Sequence, residues 1–354
     1  MARLLIILAV IASLVWLHAR IIRPNPDVEK SDHFDGQQFF NLQPIDHGFD
    51  LFIKWVLNRD RGPWADYGDY DQYPAGPVPA IRIEGDQLRV TLVGHATLLI
   101  QTAGLNILTD PIWADRAGPN EYIGTRRIRP PAIRFTDLPP IDLVLVSHGH
   151  YDHLNIATLK RLHRIHKPRF LLPVGQGHYL RRAGIDGITE LDWWQNHTHA
   201  PAQTTTPEAG TKFWLVPARH WSARWIGDAN RALWGGFAIE TASGPVYFAG
   251  DTGYGDHFQQ IAKKLGSPRL ALMPIGAYLP EFFMADVHTS PSDVILAHQA
   301  MQAKQTLVMH FGTFPLGDDG QHQATEELSK LIAEQRVPPA SLLIPDFGQA
   351  IDID

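Results

Sequence analysis

The stretch Ser147-His148-Gly149-His150-Tyr151-Asp152-His153 follows directly on the apolar run 141–146. Such a run predicts a buried strand, so the seven residues form the loop at which that strand ends. They contain three imidazoles and one carboxylate, which are nitrogen and oxygen donors that bind borderline divalent metals. Taken singly, His150 or His153 could be a polar surface residue. Together, the H-x-H-x-D-H spacing predicts a metal site, to which the rest of the fold must bring further ligands.

The overall composition limits the kind of protein and the kind of site. A chain of 354 residues can bury one large core or two modest ones. Its net charge of −6 and its pI near 6.3 exclude a general nucleic-acid binder, because no overall positive field attracts phosphates. The absence of cysteine excludes a disulfide scaffold, a thiolate zinc site and a cysteine nucleophile. Any metal must therefore be held by histidine and aspartate.

The N-terminus, residues 1–23, is predicted to associate with a membrane. Its apolar run from Leu4 to Leu17 is short for a spanning helix, although counting through Ile22 gives nearly enough length. We expect a single uncleaved anchor rather than a signal peptide cleaved near Ala19, because Leu17 is a poor match for the small residue that cleavage requires. Basic residues flank both ends of the run, so the cytoplasmic and extracytoplasmic sides both remain open.

Two further regions follow the anchor. Residues 24–87 are rich in Pro, Gly, Asp and aromatic residues, and we expect them to be an extension that wraps the domain, with one helix around 49–57. The aromatic residues of this extension, including Phe39, Phe40, Trp55 and Trp64, either pack against the domain, which is the favoured interpretation, or contact lipid or line a substrate groove. Residues 88–354 alternate strand-like and helix-like segments. This alternation predicts an α/β domain whose sheets are covered by helices.

An arginine-rich segment lies between the early strands and the histidine loop. It contains Arg126, Arg127, Arg129 and Arg134 around two prolines. A cluster of this kind is either a solvated face or a place where a phosphate-bearing ligand rests, and the sequence leaves both interpretations open.

Five candidate ligands or supporting residues each lie immediately or shortly after an apolar, strand-like run: Asp110, His148, His220, Asp251 and His310. Ligands in α/β proteins gather outside the carboxyl ends of strands, so these residues are expected to meet. One predicted set of donors is His148, His150 and His220; a second is Asp152, His153 and His310; and Asp251 is suited to bridge them. Asp110 is better placed behind an imidazole, as an acceptor that holds it.

Two neighbouring metals such as zinc would share a water and generate hydroxide near neutral pH, which predicts hydrolysis of a polarised ester. Asp251 and Asp152 are therefore candidate catalytic residues as well as ligands. His288 and His95 are candidates to donate to a substrate oxygen or to protonate a leaving group, or they are structural histidines. Tyr151 is a further candidate for contact with the ligands or the substrate.

The chain resembles the metallo-β-lactamase superfamily in the H-x-H-x-D-H loop and in the order of the ligands that follow it. More narrowly, it is similar to the branch of N-acyl-phosphatidylethanolamine-hydrolysing phospholipase D. The motifs that carry this likeness lie between about residue 88 and about residue 335: Leu92-Val93-Gly94-His95-Ala96-Thr97, Thr109-Asp110-Pro111-Ile112, Leu138-Pro139-Pro140-Ile141-Asp142, Glu190-Leu191-Asp192-Trp193-Trp194, Phe248-Ala249-Gly250-Asp251-Thr252-Gly253-Tyr254, Pro274-Ile275-Gly276-Ala277-Tyr278 and His310-Phe311-Gly312-Thr313-Phe314.

The resemblance implies an αββα sandwich with a di-zinc site at the edge of its two sheets. It also implies hydrolysis of the phosphodiester of an N-acyl-phosphatidylethanolamine, which releases phosphatidic acid and an N-acylethanolamine. The ligand roles carry over to the positions given above, His288 matches a family histidine near the substrate phosphate, and Tyr278 is a further candidate contact. The chain departs from the family at Gly149, where an asparagine is expected, and at Val287, where a glutamine often stands.

Three hypotheses for function follow. The leading one is a membrane-anchored, zinc-dependent phosphodiesterase of the phospholipase D type, whose partners are a phospholipid substrate and the membrane, with no nucleic acid. The second keeps the metals and gives them a soluble substrate, such as a sugar-phosphate lactone or another phosphodiester. The third is a non-catalytic metal-binding membrane protein. The oligomeric state does not follow from the sequence.

Overall fold

Short apolar runs separated by turns form the β-sheets of this protein. The coordinates are those of a computed structural model that describes residues 23–46, 48–68, 70, 72–199, 210–334 and 338–353. The predicted anchor lies outside the described residues except for Arg23. Within the described part of the chain, no helix has the length and apolar character needed to cross a bilayer.

The strands, in chain order, are β1 Leu88–Gly94, β2 Thr97–Thr102, β3 Leu105–Thr109, β4 Arg116–Ala117, β5 Thr125–Arg126, β6 Leu143–Leu145, β7 Arg169–Pro173, β8 Ile188–Leu191, β9 Asn196–His199, β10 Thr211–Val216, β11 Gly236–Ile239, β12 Val246–Phe248, β13 Leu270–Pro274, β14 Gln305–Met309, β15 Leu342–Leu343 and β16 Ala350–Ile353. The α-helices are α1 Phe49–Leu57, α2 Ile156–His166, α3 Gly177–Arg182, α4 His257–Leu265, α5 Glu281–Met284, α6 Pro291–Met301 and α7 Gln323–Ala333. Short 3₁₀ turns cover Phe135–Asp137 and Pro339–Ser341.

The strands form two seven-stranded sheets and a small ribbon. The first sheet has the order β16-β1-β2-β3-β6-β7-β8, and the second has the order β15-β14-β13-β12-β11-β10-β9. Each sheet is antiparallel at one end and parallel at the other, with β3, β6, β7 and β8 parallel in the first and β12 to β15 parallel in the second. Strands β4 and β5 pair only with each other.

Helices cover the outer face of both sheets. Apolar side chains between the sheets, including Leu145 and Phe237, form the central core. Leu159 of α2 packs on the outer face of the first sheet, and Val294 of α6 and Leu328 of α7 pack on the outer face of the second. This four-layer arrangement is the αββα sandwich that the resemblance implied, and the predicted fold class is confirmed. Burying apolar surface on both faces of each sheet requires these helices.

Helices α2 and α6 both begin at polar capping residues. Asn155 caps α2 by accepting a hydrogen bond from Thr158 N at 2.9 Å. Ser290 and Asp293 form a reciprocal capping box at the start of α6. Strand β11 covers only part of the apolar segment in which it lies, and the edge strand β9 has a polar sequence.

The described part of the extension runs across both sheets. Phe39 enters the central core, and its backbone N–H donates to Asn230 O at 2.7 Å. Farther along the extension, Arg82 pairs with Asp142 at 2.7 Å on the first sheet. Between these points lies α1, as predicted for residues 49–57.

A buried histidine fastens the start of the extension to the domain. The His33 ring lies between two carboxylates, with Nδ1 2.6 Å from Asp32 Oδ1 and Nε2 2.8 Å from Asp192 Oδ1. It also stacks on Trp193, with ring centroids 4.4 Å apart. Burial lowers the pKa of His33, but the hydrogen bonds to Asp192 and Asp32 outweigh burial and raise the pKa above its usual value. The protonated ring is therefore the form that the folded protein favours.

This fastening should make stability depend on pH. Because the pKa of His33 is raised on folding, its contribution is fully present below about pH 6.5 and is lost as the pH rises through the folded-state pKa. We expect the difference in unfolding free energy between wild type and His33→Gln, measured by urea denaturation, to shrink as the pH rises. The exposed His322 gives a matched control, and His322→Gln should show no such trend. A His33→Gln difference that is constant with pH would contradict the assignment.

Candidate metal centre

The chain segments that follow five strands converge at one edge of the sandwich. Asp110 follows β3, Asp251 follows β12 and His310 follows β14, while the histidine loop and His220 come shortly after β6 and β10. The fold thereby brings every predicted metal ligand into one cluster. The donor atoms of this cluster form two groups that contact each other.

The backbone at this edge is locally strained. Asp110 and His310 have φ values of 34° and 64°, in the left-handed region that non-glycine residues rarely adopt. Gly250, just before Asp251, has φ 64°, and a Cβ there would lie 2.5 Å from Ser147 Cβ. Strain of this kind persists only where surrounding contacts impose it, and it concentrates at functional sites.

The first group of donors consists of three imidazoles. His150 Nδ1 lies 2.9 Å from His148 Nε2 and 3.3 Å from His220 Nε2. His220 donates through Nδ1 to Val287 O at 2.9 Å, which leaves its Nε2 with a lone pair that faces the group. Burial, reinforced by the neighbouring imidazoles, holds the pKa values of His148 and His220 well below the usual value. The rings are therefore neutral at pH 7, which is the form that binds metals.

The second group combines imidazoles with carboxylates. His153 Nε2 lies 3.0 Å from Asp152 Oδ2 and 3.2 Å from Asp251 Oδ2, and His310 Nε2 lies 3.2 Å from the same Asp251 oxygen. Burial favours the neutral acid, but the imidazoles, His153 above all, outweigh it and hold the pKa values of Asp152 and Asp251 well below the usual value. Both residues are therefore carboxylates. Burial lowers the pKa of His310, yet the two carboxylates outweigh it and raise the pKa to about 9.

Asp110 holds the second group from behind. Its carboxylate is fully buried and accepts hydrogen bonds from His153 Nδ1 at 2.7 Å, Ser147 N at 2.7 Å and Ser147 Oγ at 2.6 Å. The bond to His153 fixes the ring so that Nε2 faces the other donors. The structure thus places Asp110 behind an imidazole rather than among the donors of the second group.

The donor atoms of the cluster fit a divalent cation. Asp251 Oδ1, His153 Nε2 and His310 Nε2 are buried and have no hydrogen-bond partner among the described residues. Buried polar atoms without a partner are costly, and these three belong to residues that contact one another, so a cation bound among them would stabilise them. The cluster offers imidazole and carboxylate without thiolate, and such a set of donors suits a His/Asp metal site.

The remaining candidates occupy different positions. His95 lies 2.8 Å from Asp152 Oδ2 through Nε2, so it orients a ligand. His288 lines the adjoining cavity, with Nδ1 3.8 Å from Asp251 Oδ2. Tyr151 also lines the cavity and donates its hydroxyl hydrogen to a backbone carbonyl. Tyr278 is not brought to the site: its hydroxyl donates to Glu327 at 2.7 Å, on the helix-covered side of the second sheet.

Arg224 is a supporting residue that sequence reasoning missed. Its buried guanidinium donates through one nitrogen to Gly149 O at 2.6 Å and to Leu154 O at 2.8 Å, and it lies 4.3 Å above the Tyr151 ring. It therefore ties the backbone of the histidine loop to the segment that follows His220. A lone arginine shortly after a ligand gives no signal that would have identified it.

Neighbouring side chains explain the glycine at position 149. A Cβ there would lie 2.7 Å from Ser222 Oγ and 2.8 Å from Gln176 Oε1, both of which are buried. Gly149 N donates to Ser222 Oγ at 3.2 Å, and Gln176 donates to the same oxygen at 2.9 Å. Ser222 and Gln176 thus occupy the space that an asparagine side chain would need.

A cavity of about 650 Å³ opens beside the metal cluster. His150, Asp152, Asp251 and His288 form its polar part. Its other walls are largely apolar and include residues from α1, from α5 and from the loops, namely Phe52, Trp55, Phe283, Met284, Trp221 and Leu316. The rings of Trp55 and Phe283 stack at 5.0 Å, so the extension and the domain build this wall together.

Comparison with known proteins agrees with this geometry. Residues 105–311 match the model of the β-lactamase superfamily domain. The chain is 35% identical over 271 residues to N-acyl-phosphatidylethanolamine-hydrolyzing phospholipase D 1 of Caenorhabditis elegans, covering 74% of this chain and 75% of that protein. It is 34% identical over 260 residues to the mitochondrial N-acyl-phosphatidylethanolamine-hydrolyzing phospholipase D of Saccharomyces cerevisiae, covering 72% of this chain and 54% of that one.

Among solved structures, the fold is similar to that of Igni18, a metallo hydrolase from Ignicoccus hospitalis. The TM-score is 0.54 at 22% identity, over 76% of this chain and 99% of that one. At this level of identity, the match supports the shared fold.

Removing the support behind His153 should weaken metal binding. Asp110→Asn cannot accept all three hydrogen bonds, so we expect metal affinity to fall about 10- to 100-fold, as measured by competition with a fluorescent chelator. Asp115→Asn changes an exposed carboxylate on the same segment and should leave affinity unchanged. Equal affinities for wild type and Asp110→Asn would show that Asp110 does not orient the ligand.

Proposed function

Because the chain belongs to the metallo-β-lactamase superfamily, in the branch of N-acyl-phosphatidylethanolamine-hydrolysing phospholipase D, and is a metal-dependent hydrolase, we propose that it hydrolyses N-acylated phospholipids. The bond cleaved would be the phosphodiester between the diacylglycerol phosphate and the N-acylethanolamine. The products would be phosphatidic acid and an N-acylethanolamine.

The apolar cavity beside the metal cluster is the observation that carries this proposal. A phosphodiester held at His150 and Asp251 would place its substituents against Phe52, Trp55 and Phe283. Aromatic and aliphatic walls stabilise acyl chains by removing them from water, at about 25 cal/mol per Å² of buried apolar surface. A small polar ester would leave these walls in contact with water, which favours a lipid over a soluble substrate.

The metals that suit this site are two zinc ions. His148, His150 and His220 would hold one, Asp152, His153 and His310 the other, and Asp251 both. When bound, the ions supply Lewis-acid stabilisation and a hydroxide at neutral pH.

The chain's own residues position the substrate around that centre. His288 Nδ1 is buried without a hydrogen-bond partner among the described residues, so it is available to a substrate oxygen. The hydrogen bond from His95 holds Asp152 in place. The aromatic wall limits access of bulk water to the reacting group.

The proposed partners are the phospholipid substrate and the membrane itself, approached through the N-terminal segment. An anchored enzyme would find a lipid substrate by diffusion in two dimensions. The large exposed apolar side chains of α1, Val56 and Leu57, support the same interpretation, since they lie on the helix that walls the cavity. Nucleic acid is not among the proposed partners, because the chain is acidic.

The proposal predicts metal-dependent turnover of a lipid. Purified protein should convert micellar N-acyl-phosphatidylethanolamine to phosphatidic acid, should lose activity on chelation and should regain it with zinc. Asp251→Ala should remain inactive after the same zinc treatment. Product is identified by mass spectrometry. Faster hydrolysis of a sugar-phosphate lactone than of the lipid would overturn the proposed substrate, and metal binding without hydrolysis in a broad ester panel would overturn the proposed activity.

The cavity wall gives a second, sharper prediction. Phe52→Ala removes about 1.5–3 kcal/mol of apolar burial from a bound acyl chain, so kcat/KM for a long-chain substrate should fall by at least about tenfold. The rate with a water-soluble phosphodiester should be unaffected. Leu57→Ala serves as the control, because Leu57 lies on the same helix, is 78% exposed and does not line the cavity. Equal losses in the two variants would mean that the cavity does not hold the chain.

A further inference from the structure

The structure separates the arginine-rich segment into residues with different surroundings. Arg127 is buried and donates to backbone carbonyls, and Arg129 stacks on two aromatic rings. Arg134 is exposed and pairs with Asp137 at 3.3 Å. Arg126 instead lines a separate cavity, where its guanidinium lies 5.6 Å from the centre of the Tyr67 ring and forms no ion pair with a carboxylate of a described residue.

Two more arginines share the cavity that Arg126 lines. Arg116 on β4 lies directly opposite Arg126 on β5, as Cα partners of the small ribbon. Arg61 lines the same cavity from the extension, and the cavity has a volume of about 280 Å³. Arg61 and Arg116 also form no ion pair with a carboxylate of a described residue. Like charges placed opposite each other across two strands are destabilising, and among the described residues no carboxylate pairs with these three arginines.

We propose that Arg61, Arg116 and Arg126 form a phosphate-binding site, here called the arginine site, that takes a phosphate monoester. Three guanidinium groups supply planar forks of N–H donors that match phosphate oxygens, and the dianion balances the clustered positive charge. Arg116 donates through one terminal nitrogen to Gly124 O at 2.9 Å, which orients its guanidinium while leaving other N–H groups free. In a chain of net charge −6, three arginines around one cavity form a local positive patch that would attract an anion.

The arginine site lies beside the metal cavity. Ala117 and Leu316 line the metal cavity, while their immediate chain neighbours, Arg116 and Pro315, line the arginine site. A bound phosphate group would therefore sit next to the substrate without contacting the metal ligands. The phosphate would come either from the headgroup of an anionic lipid or from free phosphate. The proposal holds whichever ester the metal site hydrolyses.

Calorimetric titration of the full-length, metal-loaded protein in detergent tests this site. The probes are inorganic phosphate, dihexanoyl phosphatidic acid and dihexanoyl phosphatidylcholine. Phosphate that binds at the metals should bind equally to wild type and to all variants. Phosphate that binds at the arginine site should bind at least about tenfold more weakly to Arg116→Gln and to Arg126→Gln than to wild type. Arg134→Gln is the matched control from the same segment and should leave binding unchanged.

Each result of this titration has a defined meaning. Tighter binding of phosphatidic acid than of phosphate, lost in the two variants, supports the arginine site and assigns it to a lipid headgroup. Equal, arginine-dependent binding of both supports the site and assigns it to phosphate itself. The proposal is overturned if the variants bind phosphate as wild type does, or if phosphatidylcholine binds as well as phosphatidic acid.

A measurement on the wild-type protein avoids any effect of substitution on folding. Phenylglyoxal modifies accessible arginines, and peptide mass spectrometry reports each position. Phosphate should slow modification of Arg61, Arg116 and Arg126 and should leave the rate at Arg134 unchanged. Identical rates with and without phosphate at all four positions would also overturn the proposal.

Discussion

The buried carboxylate of Asp110 is the interaction on which the metal edge of this protein depends. It accepts three hydrogen bonds from two residues of the segment after β6, although it belongs to the segment after β3. A buried carboxylate that lost these donors would pay a large desolvation cost, so the two strand ends are held in one arrangement. His153 is oriented by the same bonds, and the other donors gather around it. Fold and site are thus stabilised by one set of contacts.

The site combines two environments that rarely adjoin in a protein interior. On one side, imidazoles and ionised aspartates lie close together, and several of their buried polar atoms have no hydrogen-bond partner among the described residues. On the other, the rings of Trp55 and Phe283 present an apolar wall. The first environment suits a cation and the second suits hydrocarbon, so a molecule with an anionic group next to an apolar tail would fill both. This juxtaposition is the basis on which we propose a lipid substrate.

Most residues of the metal cluster could be predicted from the sequence, because the end of a buried strand is visible as an apolar run that stops at a polar or charged residue. Asp110, Asp251 and His310 were located in this way, and the structure brings them together. Contacts between distant segments leave no such pattern. Arg224 looks like any surface cation in the sequence, and its burial against the histidine loop depends on tertiary packing.

The lack of a local sequence pattern also explains why other features of the structure could not be predicted. The ribbon of β4 and β5 is too short to show a period, and β9 carries polar residues because it is an edge strand. Tyr278 lies in a motif shared with the family, yet its side chain turns to Glu327, and a motif alone does not give that direction. The role of α1 in the cavity wall follows from its contact with α5, which no local pattern predicts.

The bond from Trp55 Nε1 to Asp318 at 2.9 Å spans 263 positions of the chain. During synthesis from the N-terminus, α1 leaves the ribosome 263 positions before the residue that accepts this bond. Likewise β1 gains its outer neighbour β16 from a segment that follows all the other strands. The apolar wall of the cavity therefore cannot take its folded form until Asp318 has been synthesised. A nascent chain that ends before this residue presents the aromatic side chains of α1 to water instead of to the cavity.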